Sequence, residues 1–257
     1  MDIYIHTYGR SDPNKQHTLK QFSLANVWPT LVVQDREKHL YDWYDQGRVL
    51  VLPPHITQLA PTRDYLIHDV EGDDRVLFLD DDLHFAVRRT DDPTKFMQPT
   101  PPDIPDMLHT VETQLGIFPH VGIGPREGGN RNTEEYLYNT RIMRVLGYRR
   151  SYLRNNHITF APLVVMEDFH VNLQVLRSGQ DTCVCNRWVS NQAGGSDAPG
   201  GCSSYRSDEV QTASAHKLAA LHPGLVRVVQ KSTKTAWGGG TRTDVIVQWK
   251  KARNSAL

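Results

Sequence analysis

The sequence predicts an α/β fold of the Rossmann-like class, with a central, mostly parallel sheet flanked by helices. Three observations carry this. Short β-branched runs alternate with longer helix-like stretches across residues 1–90. Those runs are apolar at nearly every position rather than every second one, the signature of strands buried on both faces. At 257 residues, 39% hydrophobic and 23% charged, the chain can bury a sizeable core.

Taken in order, Ile3–Thr7, Thr30–Gln34, Val49–Leu52 and Val76–Leu79 are the expected strands of the first half. Helices are expected between them at Lys15–Ala25, Lys38–Gln46 and Thr62–Val70, the last capped by Thr62 after Pro61. The five prolines of Asp91–Pro105 make a stiff connector. A helix follows, with Leu108, Val111 and Leu115 on one face and Gly116 as its stop. His120–Gly124 is a strand, Pro125–Arg131 a glycine-rich loop, and Thr140–Leu146 and Thr159–Val165 are further strands. Glu167–Ser178 is a helix carrying Phe169, Leu173 and Leu176 on one face. Gln192–Ser204 is a flexible loop, and Ser207 caps a helix whose apolar face is Val210, Ala213, Leu218 and Leu221. Leu225–Val229 and Asp244–Trp249 are strand-like, separated by the glycine-rich stretch Trp237–Gly240. With no internal repeat and no long linker, a single domain over residues 1–257 is expected, with a first half at 1–90 and a second at 91–257.

Several classes are excluded. No apolar run approaches the ~20 residues of a membrane-spanning helix. Asp2, His6 and Arg10 interrupt the first ten residues, so there is no signal-peptide apolar region. Cys183, Cys185 and Cys202 are too few for a four-cysteine zinc site and odd in number for a disulfide framework, so reduced thiols and a cytoplasmic location are expected. The 29 basic and 29 acidic residues cancel, which taken alone argues against a nucleic-acid partner. Yet residues 1–140 hold 13 basic against 22 acidic residues, and residues 141–257 hold 16 against 7, so the halves carry −9 and +9.

The sharpest signal is Val76-Leu77-Phe78-Leu79-Asp80-Asp81-Asp82. Four apolar residues run a strand through the core, and three carboxylates emerge at its carboxyl end, where α/β sheets place ligands. Three adjacent anions repel, so keeping them ionised calls for a cation, and hard oxygen donors select Mg²⁺ or Mn²⁺. Such an ion can neutralise charge on a leaving diphosphate. The second signal is Glu167-Asp168, opening a helix after an apolar stretch. A carboxylate there can take the proton of an acceptor hydroxyl; first-turn acidic residues also favour the helix dipole without any catalytic role.

An N-terminal βαβα unit ending in Leu79-Asp80-Asp81-Asp82 resembles a GT-A glycosyltransferase with an Asp-x-Asp motif at Asp80 and Asp82. The resemblance implies Asp82 as principal metal ligand, assisted by Asp80, with Asp80 and Asp81 near the donor ribose and sugar. His6-Thr7-Tyr8-Gly9-Arg10 resembles the family's nucleotide-base segment, with His6 in place of its proline, and implies donor contacts at Thr7, Tyr8 and Arg10. Arg63-Asp64 resembles a pair near the diphosphate and base, and Gln34, closing the second strand, is a further donor candidate. The Glu167-Asp168 helix resembles that of inverting enzymes, which implies Asp168 as catalytic base with Glu167 as support or alternative base.

Three later segments resemble the phage glycosyltransferases associated with TET/JBP-type dioxygenases, which modify hydroxymethylated pyrimidines in DNA. They are His120–Arg131, Gly200–Arg206 and Trp237–Asp244. This resemblance implies a nucleotide-sugar donor, a uridine diphosphate (UDP) sugar, and 5-hydroxymethylcytosine or 5-hydroxymethyluracil in DNA as acceptor, within the cytoplasm of a phage-infected bacterium. Arg126, Glu127, Asn130, Arg131, Arg154 and Trp237 are the acceptor-side candidates, with the runs Arg141–Arg154 and Lys231–Arg253 as phosphate contacts or solvated surface. In this reading Gln192–Ser204 is a lid over the donor, and Arg206 reaches the diphosphate. A glycan or protein acceptor, and a noncatalytic binding module, are the alternatives; retention of both acidic sites disfavours the module. A nucleotidylyltransferase would carry a glycine-rich phosphate loop after the first strand, where this chain has HTYGRSDPNK.

Overall fold

A computed structural model describes residues 1–192, 200–232 and 240–255. Its first strands are β1 (Asp2–His6), β2 (Thr30–Val33), β3 (Val49–Val51), β4 (Arg75–Asp80), β5 (Leu83–Arg88) and β6 (Phe96–Met97). They are followed by β7 (His120–Pro125), β8 (Tyr136–Tyr138), β9 (Val145–Arg149) and β10 (Cys183–Gln192), and then by β11 (Val226–Ser232) and β12 (Thr241–Val247). The helices are α1 (His17–Leu24), α2 (Leu59–His68), α3 (Asp103–Leu115), α4 (Arg150–Asn155), α5 (Glu167–Arg177), α6 (Asp208–Leu221) and α7 (Trp249–Asn254).

The main sheet runs β3-β2-β1-β4-β9-β7-β10-β5-β6, with β8 paired to β10. The strands β3, β2, β1 and β4 are mutually parallel. Beyond them β9 runs antiparallel to both β4 and β7, while β7 and β10 are parallel. β11 and β12 form a separate antiparallel ribbon.

The all-apolar strands are explained by two cores. Ile5, Leu31, Val33, Leu77 and Leu79 pack to one face with Phe22 of α1 and Met107, Val111 and Leu115 of α3. Their strand neighbours Tyr4, Val32, Val76 and Phe78 pack to the other with Leu66 and Ile67 of α2, Leu153 of α4 and Val171 of α5. Period-two alternation therefore buries both faces, as the sequence pattern requires. A third core joins Phe169, Leu173 and Leu176 of α5 to Leu218 of α6, Val226 and Val245 of the ribbon, and Ala252 of α7. α5 is thus shared between the sheet and the ribbon, which bears on where its N-terminus points.

The chain leaves β1 toward β2 on one side and returns to β4 on the other, so the sheet has its switch point between the carboxyl ends of β1 and β4. Open α/β sheets bind ligands in that crevice. Pairing of His6 with Asp80 sets Thr7–Arg10 beside Asp80–Asp82 across it.

Several expected elements differ. The second expected helix is a 3₁₀ turn over Asp35–Tyr41. At its end and just beyond, Tyr41, Trp43 and Tyr44 pack ring against ring at spacings a helix would splay apart. The third helix begins at Leu59 with Gln58 as cap; Thr62 lies inside it, its hydroxyl donating to the Gln58 carbonyl at 2.8 Å. The proline-rich connector ends early, because Pro105 is accommodated in the first turn of α3, where its missing N–H is no loss. The strand expected at Thr140–Leu146 starts only at Val145, since Arg144 adopts φ 65°. Thr159–Val165 is irregular and has Pro162 in place of a ladder donor. β5 and β10 were not foreseen; β10 buries Asn186 and Ser190 within a strand that lacks a clean apolar pattern. α5 matches expectation, and α6 has the expected cap, with Ser207 Oγ accepting from Val210 N at 3.2 Å; its buried face, however, is Gln211, Ser214, Ala215 and Leu218, and Ala213 is exposed. Most of the expected glycine-rich stretch Trp237–Gly240 and of the Gln192–Ser204 lid lies outside the described residues. Among the described residues no helix is long and apolar enough to cross a membrane.

His120, at the start of β7, provides a test of the core. It is fully buried, stacked on Tyr148 at 4.3 Å between ring centroids, and its Nδ1 meets the Gly147 carbonyl oxygen at 2.9 Å. Burial pushes its pKa down to about 4. The folded state therefore holds it neutral, and that contribution is complete above the unfolded value of 6.5 and is lost as pH falls toward 4. In urea titrations the stability advantage of wild type over His120→Phe should be constant above pH 7 and shrink by about 1.4 kcal/mol per pH unit between pH 6 and pH 4.5. A pH-independent difference would mean that the folded protein protonates this histidine.

Candidate active site

The acidic turn after β4 is shaped by α1. Thr18 Oγ1 donates to the Asp80 carbonyl at 2.6 Å and accepts from Leu83 N at 2.9 Å, while Thr18 N donates to the Asp81 carbonyl at 3.0 Å. One threonine thus clasps both ends of the turn and aims its carboxylates into the crevice. The segment after β1 is anchored similarly. Buried Gln16 donates to Thr7 Oγ1 at 2.8 Å and to the Arg10 carbonyl at 2.7 Å, and Thr7 Oγ1 also lies 3.0 Å from Tyr41 Oη.

Two buried arginines neutralise the carboxylates. Arg10 pairs with Asp81 Oδ1 and lies 2.9 Å from Asp82 Oδ2. Arg63, on α2, donates to Glu167 Oε1 at 2.7 Å and lies 3.5 Å from Asp80 Oδ1. Arg63 therefore ties the end of β4 to the start of α5. Glu167 and Asp168 stand in the first turn of α5, and Met166, its cap, adopts φ 67°, which swings the incoming chain around so that the acidic pair faces the crevice. Asp168 Oδ2 is 3.7 Å from Arg141 Nη2.

These groups line one cavity of about 370 Å³. Of the residues singled out from the sequence, it brings together Thr7, Tyr8, Arg10, Gln34, Arg63, Asp80, Asp81, Asp82, Glu167, Asp168 and Arg206. Burial pushes Asp80 up to about 6, opposed by Arg63 and reinforced by Asp82. It pushes Asp81 up to about 7, opposed by Arg10 and again reinforced by Asp82. Glu167 is also raised, by burial first, with Arg63 opposing and Asp168 adding to the rise. The rise is therefore set by desolvation, which the neighbouring arginines oppose.

The donor set fits a divalent ion held partly by its substrate. Asp81 is turned toward Arg10, and one oxygen of Asp82 is likewise committed. The other oxygens, Asp80 Oδ2 and Asp82 Oδ1, converge on one point, the Gln192 amide nitrogen, at 3.5 and 3.4 Å. Among the described residues no group of three His, Cys, Asp or Glu is placed to hold a metal by protein ligands alone. Two carboxylates, with the remaining positions left to phosphate and water, is the usual arrangement for Mg²⁺ and its relatives.

Other expected residues lie elsewhere. Asp64 accepts from Phe160 N at 2.7 Å and Ala161 N at 2.9 Å, holding the irregular 159–165 segment. Arg154 donates to the carbonyls of Ile67 at 2.6 Å and Val70 at 3.1 Å, closing the end of α2. Arg126, Asn130 and Arg131 are exposed outside the cavity, and Glu127 pairs with Arg144 through both oxygens at 2.9 Å. Trp237 lies outside the described residues. Gln192, Arg141, Arg144, Arg242 and Asp244 line the cavity but were not among the assigned site residues. The basic runs hinted at the arginines, Arg242 and Asp244 also fall in the Trp237–Asp244 segment, and Gln192, expected to open the lid, instead ends β10. Gly200, at φ 93°, lies against Arg10: an added Cβ would sit 2.7 Å from Arg10 Cγ, so the 200–201 segment covers the arginine closely.

A family model for TET-associated glycosyltransferases matches residues 1–201. Among solved structures, a mannosyltransferase from Pyrobaculum calidifontis, in complex with GDP-Man and Mn²⁺, is 13% identical, with a TM-score of 0.50 over 71% of this chain and 55% of that one. A CMP:2-keto-3-deoxy-manno-octonic acid synthetase complexed with CTP is 14% identical, covering 71% and 88% of the two chains at a TM-score of 0.44. The galactosyltransferase LgtC, in complex with donor and acceptor sugar analogs, is 16% identical over 60% of each chain at a TM-score of 0.34. Comparison with curated proteins finds no match. The mannosyltransferase likeness agrees with the sheet order in showing the GT-A fold, and the family match over residues 1–201 makes this chain a member of the TET-associated glycosyltransferase family.

Proposed function

We propose that the protein transfers a sugar, with inversion, from a UDP-sugar to the hydroxymethyl oxygen of 5-hydroxymethylcytosine or 5-hydroxymethyluracil in DNA, using Mn²⁺ or Mg²⁺. The observation that carries this is the sharing of one cavity by the Asp80–Asp82 turn and the Glu167–Asp168 pair. An acidic first turn alone would be explained by the helix dipole. An acidic first turn facing a second acidic cluster calls for a cation on one side and a proton acceptor on the other.

In this reading Thr7, Tyr8 and Gln34, at the ends of β1 and β2, receive the nucleoside. Asp80 and Asp82 would hold the ion, which when bound would supply positive charge to the diphosphate. Arg10 keeps Asp81 and Asp82 in place, and Arg206 offers its guanidinium to the diphosphate. Asp168 takes the proton from the acceptor hydroxyl as that oxygen attacks the anomeric carbon. Glu167, committed to Arg63 at 2.7 Å, orients the pair rather than acting as base. A single base on the face away from the leaving diphosphate gives inversion, by the geometry that governs inverting glycoside hydrolysis. DNA as acceptor is supported by the family membership and by the +9 charge of residues 141–257. A base within a duplex would have to leave the stack to reach Asp168.

Mass spectrometry of hydroxymethylated oligonucleotides incubated with a panel of UDP-sugars and Mn²⁺ tests the reading. Gain of one hexose or hexosamine mass is expected with at least one donor; no gain across the panel, with either pyrimidine, overturns the proposed acceptor. Asp168→Asn should retain donor binding while turnover falls ~10²–10⁴-fold, the range for loss of a general base. Wild-type turnover in that variant would place the base elsewhere.

A further inference from the structure

Three arginines on one side of the cavity, Arg141, Arg144 and Arg242, have no role in donor binding as described above. Their pairing is uneven. Arg144 is the most committed: it holds Glu127 through both oxygens and donates to the Ser190 carbonyl at 3.2 Å. Among the described residues Arg242 makes one hydrogen bond, to Asp244 Oδ2 at 3.1 Å, and Asp244 is shared with Lys231 at 3.2 Å. Arg141 makes no hydrogen bond among the described residues; its ionic contact is Asp168, at 3.7 Å. Its guanidinium carbon lies over the Phe169 ring, 4.1 Å from the centroid, and Phe169 is itself stacked on Trp249 at 5.7 Å. The side chain is therefore oriented by packing while most of its five N–H donors remain free.

Arg141 keeps 43% of its side chain open to solvent; its place in the cavity wall still pushes it below its ordinary value, by desolvation first and also by repulsion from Arg144 and Arg242, against the pull of Asp168 and Asp244. The cluster therefore favours a further anion. The proposed reaction sharpens this need, because proton uptake by Asp168 would remove the negative charge that faces Arg141.

We propose that Arg141 and Arg242 form a subsite for a phosphodiester of the acceptor strand, beside the nucleotide that receives the sugar. The inference rests on the acceptor reading above and deepens it. A planar guanidinium with free donors suits a phosphate's two non-bridging oxygens. Packing of Arg141 against the helix that carries Asp168 would couple the grip on the strand to the position of the base. The donor diphosphate is the competing anion, and it is assigned instead to the Asp80–Asp82 side of the cavity.

The test uses the full chain with UDP and Mn²⁺ present, and single-stranded oligonucleotides containing one 5-hydroxymethylcytosine. A neutral methylphosphonate replaces the phosphate at each linkage in turn, and binding is followed by fluorescence anisotropy. With wild-type protein, one linkage next to the modified nucleotide should weaken binding about 10–100-fold when neutralised, as expected for a lost charge-assisted contact. In Arg141→Ala and Arg242→Ala that penalty should disappear, because the contact is already gone. If no single linkage matters, or the same penalty persists in both variants, the subsite is overturned. It is also overturned if calorimetry shows that the variants lose affinity for UDP-sugar and not for the oligonucleotide. Mass spectrometry on parallel samples, with a panel of UDP-sugars in place of UDP, separates the two claims. A linkage-specific penalty without sugar transfer upholds the subsite and overturns the acceptor reaction, whereas transfer without any linkage effect does the reverse.

Discussion

The site is organised around one electrostatic constraint: carboxylates from distant parts of the chain are gathered into a poorly solvated crevice and must be neutralised there. Arg63 does the most. By pairing with Glu167 at 2.7 Å and approaching Asp80 at 3.5 Å, it joins the end of β4 to the start of α5, 87 positions later in the chain. Arg10 does the same for Asp81 and Asp82 from the end of β1. Removing one partner of such a buried pair costs roughly 3–5 kcal/mol, because the other charge is left uncompensated. In the proposed reaction the arginines would serve stability and function together. They make the acidic cluster tolerable in the free protein and leave Asp80 and Asp82 each with one oxygen directed at a shared point.

The supporting frame follows from ordinary sheet chemistry. Strands buried on both faces bring Asp80 to the carboxyl edge with its backbone already paired, and Thr18 then closes the turn using one hydroxyl as both donor and acceptor. On the other wall α5 is held from two sides, by the sheet through Val171 and Val175 and by the ribbon through Phe169, Leu173 and Leu176. Its N-terminus is thereby fixed relative to β4 without any direct hydrogen bond between Asp168 and the acidic turn.

Much of this was legible in the sequence, for reasons that differ by region. The first four strands stand out because burial on both faces leaves no polar position to blur them, and the two acidic motifs stand out because they directly follow apolar segments. The 159–165 segment misled because its apolar residues serve the packing of a loop, with Asp64 supplying the hydrogen bonds a neighbouring strand would have given. β10 was hidden because its polar side chains have buried partners: Asn186 donates to the carbonyls of Asn132 at 3.1 Å and Glu134 at 2.8 Å. The charge asymmetry was informative in aggregate and misleading residue by residue. Within the basic run, Arg150 is buried against Asp2 and Tyr4, and Arg154 closes a helix, while Arg141 and Arg144 face the cavity. Sequence order alone cannot separate these, because the run crosses a strand and a helix start whose faces are set only by tertiary packing.

In the proposed reaction one carboxylate, Asp168, drives a single displacement across a cavity whose other side would hold the leaving diphosphate. The anomeric configuration of the product reports on this most directly. With an α-linked UDP-sugar as donor, the account predicts a β-linked product, read from the large one-proton coupling at the anomeric position of a gluco-configured sugar by NMR. An α-linked product would contradict it, since retention requires attack from the same face and so a different role for Asp168.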